Sequence, residues 1–528
     1  MQHDALWRLR KSLPVSVDPW FQNIPATLQR FFRLTHRMLS PLPASRWDFT
    51  AAAHLLNRAA FGATPAEIER MLAVKPAAAV AQLLDPESNH EETFRPDWAK
   101  PDSDRAKKLR KARAASPEER KQLLQERLRE QRRHVLELQH AWLTRMRSGA
   151  SPLQEKLTLF WHGHFATSVT KVKDAYLMWR QNDLFRKHGM ADWFTLLREV
   201  TRDPAMLLWL DQAQSKPEHP NENYARELME LFTLGEGHYS EQDVTEAARA
   251  LTGLTLDRLH DEPAWRLRLR DEKPKTFLGQ TGDLKPDDVL KLIVTQPQSD
   301  RFITGKLWRF YAGTEPSEAL TTELAAEFRR HGRQFRPFLR TLFLAEEFYA
   351  AEVVRQQIKS PVQLLVTACR QLERDLPPPL ASSNALRVLG QELFNPPNVK
   401  GWDGGIAWIS TNTLLARHNL ALLLTTGENA LPFVGRKPTK PEAAKRLERL
   451  QQRLPQTAAD PRKVFSTEER QSSASILAAV ERRFINAPLR EKDRTALRDY
   501  LAAHPEPDDH ALQGLIRLVM CTADYQLA

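Results

Sequence analysis

Residues 220–235 read Pro220-Asn221-Glu222-Asn223-Tyr224-Ala225-Arg226-Glu227-Leu228-Met229-Glu230-Leu231-Phe232-Thr233-Leu234-Gly235. Asn221 is a good N-cap because its side chain can accept a hydrogen bond from an N–H of the first helical turn. Gly235 is a good C-terminal stop because glycine enters the left-handed region without a steric penalty. One apolar face recurs at helical spacing through Tyr224, Leu228 and Phe232. The stretch therefore predicts a short capped helix.

The opposite face of this helix carries groups that can do chemistry. Asn223, Glu227 and Glu230 are spaced i, i+4 and i+7, so the two carboxylates are neighbours. Arg226 lies four residues from both Glu222 and Glu230 and can pair with either. Two interpretations are open: a solvated face with ion pairs, or a buried face for acid/base catalysis or metal binding. On the second, Asn223, Arg226, Glu227 and Glu230 are the candidate catalytic residues.

Helical patterns with capping signals recur along the rest of the chain. Thr64, Pro65 and Glu67 form a capping box with proline at the first helical position. Ser240 and Asp243 repeat the box. Only the alternation from Trp265 to Arg270 predicts a strand of a small hairpin. The sequence therefore predicts a mainly α fold, a large multi-helix domain with a minor β-hairpin insertion.

Changes in composition divide the chain into four segments. We expect an N-terminal extension (1–47) with one basic amphipathic helix from Ala26 to Met38, a main helical domain (48–430) with a charged helical insertion (101–147), a polar linker (431–471), and C-terminal helices (472–528) that pack on the main domain.

The chain of 528 residues has a net charge of +11 and a pI near 9.6, which favours acidic partners. Its two cysteines form neither a disulfide framework nor a CxxC metal motif. We find no signal peptide and no apolar run long enough to span a membrane. The chain as given is therefore expected to be soluble and cytoplasmic, with a periplasmic location left open.

Positive charge is concentrated between Arg105 and Arg133, where twelve lysines and arginines face four glutamates. One interpretation is a long solvated helix pair whose second half docks on the core; the other is a surface for a polyanion. Aromatic residues are absent from most of this block, so it does not indicate base stacking. Specific nucleic-acid binding is not expected.

A second candidate site is the His-Gly-His of residues 162–164, which follows a helical run. Two imidazoles one glycine apart can converge on one metal ion if the backbone is extended or turns there. The alternative is a pair of histidines in ordinary hydrogen bonds. On the first interpretation His162, His164 and Glu227 are the predicted metal ligands, and a mixed set of this kind suits Zn, Fe or Mn.

A third candidate is the irregular loop between residues 389 and 409, which is rich in proline, glycine and tryptophan. Such loops are often found at functional sites. Asn398, Lys400, Trp402 and Trp408 are therefore the predicted substrate-binding residues. The alternative is that the tryptophans only fill the core.

Several common enzyme signatures are absent from the sequence. There is no P-loop, no GxGxxG fingerprint, no GxSxG nucleophile elbow and no HExxH. The common nucleotide-binding and hydrolase classes therefore lack their usual local evidence.

Five motifs, taken in order and spacing, resemble the large bacterial family called domain of unknown function 1800. They are Asn57-Arg58-Ala59-Ala60-Phe61-Gly62, Phe160-Trp161-His162-Gly163-His164-Phe165, Asn221 to Leu231, Ala248-Arg249-Ala250-Leu251-Thr252-Gly253 and Pro396-Pro397-Asn398-Val399-Lys400-Gly401-Trp402. The resemblance runs from about residue 50 to the C-terminus and brings no assigned activity. It implies that these motifs belong to one constellation and that a co-encoded sulfatase-like protein is a candidate partner. Many members look exported through a twin-arginine signal, which this chain lacks.

Two functional hypotheses follow. The first is a metal-dependent or acid/base enzyme with a His/Glu centre, either a hydrolase or an oxidoreductase. The second is a non-enzymatic binding or assembly protein for an acidic polymer or a partner protein. A buried structural network of the same polar residues is the third interpretation.

Overall fold

The computed structural model describes residues 38–85, 95–431 and 457–528. The predicted basic helix from residue 26 to residue 38 lies outside these ranges except for its last residue. Of the predicted linker, residues 457–471 are described; they include the short helix Pro461–Val464, whose Val464 is buried in the core.

Helices make up most of the described chain, as the sequence predicts. The first third contains α1 Phe49–Ala59, α2 Pro65–Leu72, α3 Pro76–Leu84, α4 Arg105–Ala114, α5 Pro117–Ser148, α6 Pro152–His164, α7 Val169–Val172 and α8 Ala175–His188. The middle contains α9 Trp193–Thr201, α10 Pro204–Trp209, α11 Glu222–Glu227, α12 Glu241–Ala250, α13 Pro286–Thr295, α14 Pro297–Ala312, α15 Glu318–Arg330 and α16 Phe335–Leu344. The last part contains α17 Pro361–Gln371, α18 Pro379–Leu389, α19 Thr411–Thr426, α20 Pro461–Val464, α21 Ser473–Val480, α22 Glu491–Ala502 and α23 Asp509–Met520.

The predicted caps are present. Thr64 and Glu67 form the capping box of α2, and Ser240 and Asp243 form that of α12. The charged stretch forms two helices, α4 and α5, joined by a short turn, and Ser116 is the N-cap of α5. The second half of α5 docks on the core through Leu143 and Met146, which are buried.

Two small antiparallel hairpins interrupt the helices. β1 Leu254–Asp257 pairs with β2 Glu262–Trp265, and β3 Lys275–Phe277 pairs with β4 Gln280–Gly282. A hairpin was expected, but the placement of its strand on Trp265 to Arg270 is wrong. β2 ends at Trp265, and residues 267–269 form a 3₁₀ turn in which Leu267 is exposed. Leu267 is exposed and Leu269 is only partly buried, so the alternation does not correspond to one buried face of a strand.

The buried apolar residues form two clusters that meet at α6. Leu157, Phe160 and Trp161 of this helix belong to one cluster, whereas Leu159 belongs to the other. A helix that is buried on all sides can hold polar groups away from water only if the fold provides partners for them. The buried polar side chains of α6 are therefore candidates for a functional site. In the three described ranges, no helix is long and apolar enough to cross a membrane.

Candidate functional site

Three of the predicted stretches meet at the C-terminal end of α6: the His-Gly-His, the end of the 221–235 helix and the loop of residues 389–409. Contrary to the expectation of an extended or turning His-Gly-His, the α-helix continues through His164. Residues two apart on a helix point about 200° apart. The two imidazoles therefore diverge, and each serves a different neighbour.

His162 holds the glycine- and tryptophan-rich loop. The backbone N–H of Phe394 donates to His162 Nε2 at 2.9 Å, so Nε2 is unprotonated. Burial lowers the pKa of His162 to about 3, which keeps the ring neutral. Phe394 has φ of +62°, a conformation that costs a non-glycine residue about 1–2 kcal/mol. The buried imidazole is thus one of the contacts that hold a strained turn of the loop.

His164 faces the helix that the sequence placed at residues 221–235. Its Nε2 lies 3.0 Å from Phe232 O, and because a carbonyl only accepts, Nε2 carries the hydrogen. Its Nδ1 is then an acceptor, and Lys306 Nζ donates to it at 3.2 Å. Burial, with a smaller effect of the Lys306 charge, holds the pKa of His164 well below its ordinary value.

The backbone of the 221–235 helix explains why its carbonyls are available. Asn221 caps α11 as expected, accepting from Tyr224 N–H at 3.1 Å. After Glu227, however, the helix widens into a π segment, Leu228–Thr233, which the sequence did not predict. Carbonyls at a helix end lack intrahelical donors. Those of Leu231 and Phe232 accept instead from Lys306 Nζ (3.0 Å) and His164 Nε2.

The carboxylate face of the same helix lies apart from these contacts. Glu230 accepts from Tyr239 Oη at 2.8 Å. Arg226 forms two hydrogen bonds with Glu241, at 2.7 and 2.6 Å, in place of the expected pair with Glu222 or Glu230. Arg226 and Glu241 are both at the surface, so this pair adds little to stability.

Glu227 and Asn223 differ in their surroundings. Asn223 is exposed. Glu227 is half-buried, and burial together with the neighbouring Glu230 raises the pKa of its carboxyl, whereas Lys400 and Arg226 act in the opposite direction. Glu227 is therefore the acid of this face that the loop carrying Lys400 can influence.

The predicted metal ligands do not come together as one set. His162 Nε2 and both ring nitrogens of His164 are engaged by protein groups. Within residues 38–85, 95–431 and 457–528, no three His, Cys, Asp or Glu side chains are grouped so that they could share a metal ion. The expectation of Zn, Fe or Mn stays a prediction, which elemental analysis of the purified protein tests.

The predicted loop closes over the end of α6. Asn398 is exposed and accepts from Lys400 N–H at 2.8 Å, which shapes the turn. The ring of Trp402 is half-buried, 5.6 Å from that of His162 between centroids. Trp408 is buried at 8% exposure. Trp408 is thus largely withdrawn from solvent, whereas part of Trp402 is exposed; their role in substrate binding stays a prediction.

Between this loop, α6 and α14 lies a cleft of about 420 Å³. Its aromatic walls are Phe160, Phe310, Trp402 and Trp408; its basic groups are Lys156, Lys306, Arg309 and Lys400; its acidic groups are Glu315 and Asp403. Arg309 pairs with Glu315 at 2.9 Å. His164, Lys400, Trp402 and Trp408 are the predicted site residues that line it, whereas Asn223, Arg226, Glu227, Glu230, His162 and Asn398 are outside its lining.

Lys156 is the residue of this cleft that the sequence interpretation missed. Its side chain is 2% exposed, and Nζ has no hydrogen-bond partner among the described residues. The rings of Phe61 and Phe310 lie 5.0 and 5.8 Å from Nζ. Burial, with a smaller effect of Arg58, lowers the pKa of Lys156 to about 7. A lysine in a helical turn surrounded by apolar residues was the signal available in the sequence.

Lys306 is the second missed residue, and it too lies in an apolar helical stretch. Burial, together with the charge of Arg309, lowers its pKa to about 7. The lining of the cleft therefore holds two amines, the buried Lys156 and the partly buried Lys306, whose pKa values are both lowered to about 7, mainly by desolvation. Neither of them forms an ion pair with a carboxylate in the described part of the chain.

A comparison with protein-family models matches residues 54–527 to one described as Protein of unknown function (DUF1800). The match spans nearly the whole chain and includes all five motifs. No curated protein and no solved structure matches the chain.

Proposed function

This chain belongs to the DUF1800 family, and we propose that its cleft binds a small molecule or end group that carries an acidic group. The observation that carries this proposal is the buried amine of Lys156, a residue of the cleft lining whose Nζ has no hydrogen-bond partner among the described residues. A buried charge without a partner costs several kcal/mol. An anionic ligand would supply the missing partner.

The surroundings of Lys156 favour an anion over a cation. Arg58 lies behind it, fully buried, and donates to Ala312 O and Val353 O at 2.6 and 2.9 Å. Its Nε and Nη1 have no hydrogen-bond partner among the described residues. Ser360, the N-cap of α17, also lines the cleft, so the positive end of a helix dipole lies at the same wall. The local field therefore favours negative charge.

The aromatic walls favour a ligand with a flat or ring-shaped body. Trp402 and Phe310 line the cleft beside the basic groups, and ligand sites commonly combine apolar walls with a few polar groups that fix orientation. An acidic sugar unit has both features. This is the small-molecule form of the acidic-polymer hypothesis, with Lys400 and Trp402 in the predicted binding role.

A second candidate function is acid/base chemistry on that ligand. It is favoured by the hydrogen bond between Lys306 and His164 in the cleft lining, because an amine whose pKa is lowered to about 7 suits general acid/base catalysis. Glu227, which interacts with Lys400 at the edge, is the carboxylate candidate. These assignments replace His162 by Lys306 as the group beside the ligand.

The binding proposal is tested with Lys156→Met and a matched control. Lys121→Met removes the same charge from an exposed site on α5, where Lys121 is 67% exposed. Inorganic phosphate, citrate and glucuronate, each against sodium chloride of equal ionic strength and glucose as the neutral counterpart of glucuronate, are titrated while the melting temperature is followed. A ligand at 100 times its Kd stabilises by about 2.7 kcal/mol.

We expect at least one anion, and not glucose, to raise the melting temperature of the wild type and of Lys121→Met. The same anion should bind Lys156→Met at least about tenfold more weakly, because a charged hydrogen bond contributes about 1.5–3 kcal/mol. Equal binding of the anion to Lys156→Met and to the wild type would contradict the proposal.

A further inference from the structure

Lys306 is held by two neutral acceptors inside the cleft. Its Nζ donates to Leu231 O at 3.0 Å and to His164 Nδ1 at 3.2 Å. The ring of Phe302 packs against it, with its centroid 4.7 Å from Nζ. None of these contacts is an anion, so the surroundings do not stabilise the ammonium form by charge.

The geometry of the nitrogen leaves one position unused by hydrogen bonds to the protein. A neutral amine has one bond to carbon, two N–H groups and one lone pair. When both N–H groups are given to Leu231 O and His164 Nδ1, the lone pair occupies the fourth position. Because Lys306 lines the cleft, a ligand there can reach the amine without breaking either hydrogen bond first.

We propose that Lys306 is a nucleophilic amine that forms an imine with an aldehyde or ketone carrying an acidic group. The proposal rests on the proposed function, since Lys156 would bind the acidic group while Lys306 attacks the carbonyl carbon. Lysines held in apolar pockets or beside another cation are activated for this reaction. The pKa of about 7 for Lys306 agrees with such activation and follows from burial and from Arg309.

The reaction balances without an added reagent. Nζ forms a bond to the carbonyl carbon, and the carbonyl oxygen takes a proton to give a carbinolamine. Loss of that oxygen with a second proton gives the imine and one molecule of water. The two hydrogens that leave with the oxygen are those that the amine donates to Leu231 O and His164 Nδ1. His164 Nδ1 is thus placed to accept one of them and return it to the departing oxygen, because Phe232 O fixes its tautomer.

The test traps the imine in the full-length protein. Glyoxylate, an aldehyde with a carboxylate, is added at pH 7 with sodium cyanoborohydride, which reduces an imine to a stable secondary amine. Peptide mass mapping then locates the modified lysines. Glycolaldehyde serves as the neutral aldehyde, and Lys291 on α13, outside the cleft lining, as the internal reference lysine.

We expect glyoxylate to modify Lys306 at least about tenfold faster than Lys291, because burial and the charge of Arg309 lower the pKa of Lys306 and because Lys306 lines the cleft. Lys306→Arg keeps the charge and should lose that label alone. His164→Gln should slow the labelling of Lys306 and shift its pH dependence. Lys156→Met should remove the preference for glyoxylate over glycolaldehyde.

The outcomes separate the two proposals. The amine proposal is overturned if Lys306 is labelled no faster than Lys291. If the binding of phosphate or glucuronate still requires Lys156 in that case, the binding proposal stands. Fast labelling of Lys306 by both aldehydes alike, unchanged in Lys156→Met, supports the amine and overturns the role of Lys156. The wild-type map decides the first point even if a variant does not fold.

Discussion

Gly163 and Gly401 lie against each other where α6 meets the tryptophan loop, but only one of them has to be glycine. Gly401 has φ of +82°, and a Cβ there would overlap the carbonyl oxygen of Gly163. A Cβ on Gly163 would meet Trp402 Cε3 at 3.9 Å, an ordinary contact. The close approach therefore depends on the glycine of the loop and not on that of the His-Gly-His.

We predict opposite effects for the two alanine substitutions. Gly401→Ala should lower the free energy of unfolding by about 2 kcal/mol or more, because the left-handed backbone alone costs about 1–2 kcal/mol. Gly163→Ala should leave it unchanged or raise it by up to about 1 kcal/mol, since alanine is the better helix former. Urea denaturation followed by circular dichroism measures both. A Gly163→Ala protein that is the less stable of the two would show that the helix end is the constrained partner.

Some residues of the cleft lining were predictable from the sequence and others were not. His164, Lys400, Trp402 and Trp408, which line the cleft, were predicted as site residues because histidine pairs and tryptophan-rich loops often bind metals or ligands; their function stays a prediction. Lys156 was missed although it lies only four residues before the Phe160–Phe165 motif, because a lysine on a helix is ordinarily a solvated charge. Its burial depends on α6 being covered on all sides, and that is decided by distant elements such as α14.

The helix predicted at residues 221–235 shows the same limit for a whole element. Its N-cap, its length and its apolar stripe were predictable from local signals, whereas the π segment Leu228–Thr233 within it was not. Its last carbonyls accept from Lys306 and His164, which lie far away in sequence. When residues distant in sequence donate hydrogen bonds to the last carbonyls of a helix, the local sequence does not predict how that helix ends.

The α4–α5 pair is the element that the acidic-polymer hypothesis invoked. The cations of α4 are mostly exposed. No residue of α4 or α5 is part of the cleft lining. Arg105 and Lys108 are engaged by Asp261 and Asp102. Four other cations of α4 are exposed and available to a polyanion: Lys107, Arg110, Lys111 and Arg113.

We predict that these four residues control binding to a long acidic polysaccharide but not to a monomer. A variant with all four changed to Gln should elute from immobilised heparin at lower sodium chloride, because each lost contact reduces counterion release. This variant should bind the anion whose binding depends on Lys156 as tightly as the wild type does. A control variant changes Lys463, Arg470, Lys492 and Arg498, all within residues 457–528, to Gln, which gives the same net charge. Equal elution of the two variants would mean that net charge alone binds heparin.

At the scale of the whole molecule, the fold class and the membership of α6, the 221–235 helix and the tryptophan loop in one constellation were predictable. The contacts that join them were not, since they run through backbone atoms: Phe394 N–H to His162, Phe232 O to His164. The sequence identifies side chains, but the partners of His162 and His164 are backbone amide and carbonyl groups whose positions depend on the fold.

The same burial has a consequence for the stability of the entire chain. Lys156, Lys306 and Lys359 each have a pKa near 7 in the folded protein, mainly because they are buried, against an ordinary value of 10.5. Between pH 7 and pH 10.5 the unfolded chain therefore binds more protons at these positions than the folded one. By linkage, the free energy of unfolding contributed by these lysines rises with pH in that window and has no slope below it.

We predict that the free energy of unfolding of the ligand-free protein increases from pH 7.5 to pH 9, by about 1.4 kcal/mol per pH unit for each fully titrating lysine. Lys156→Met should have a slope shallower by about that amount, and Lys121→Met should keep the wild-type slope. Urea titrations at constant ionic strength measure all three. A saturating anion that pairs with Lys156 raises its folded-state pKa, so the wild type with that anion should show the shallow slope of Lys156→Met. If the anion leaves the wild-type slope unchanged, it binds somewhere other than at Lys156, whatever its effect on the melting temperature.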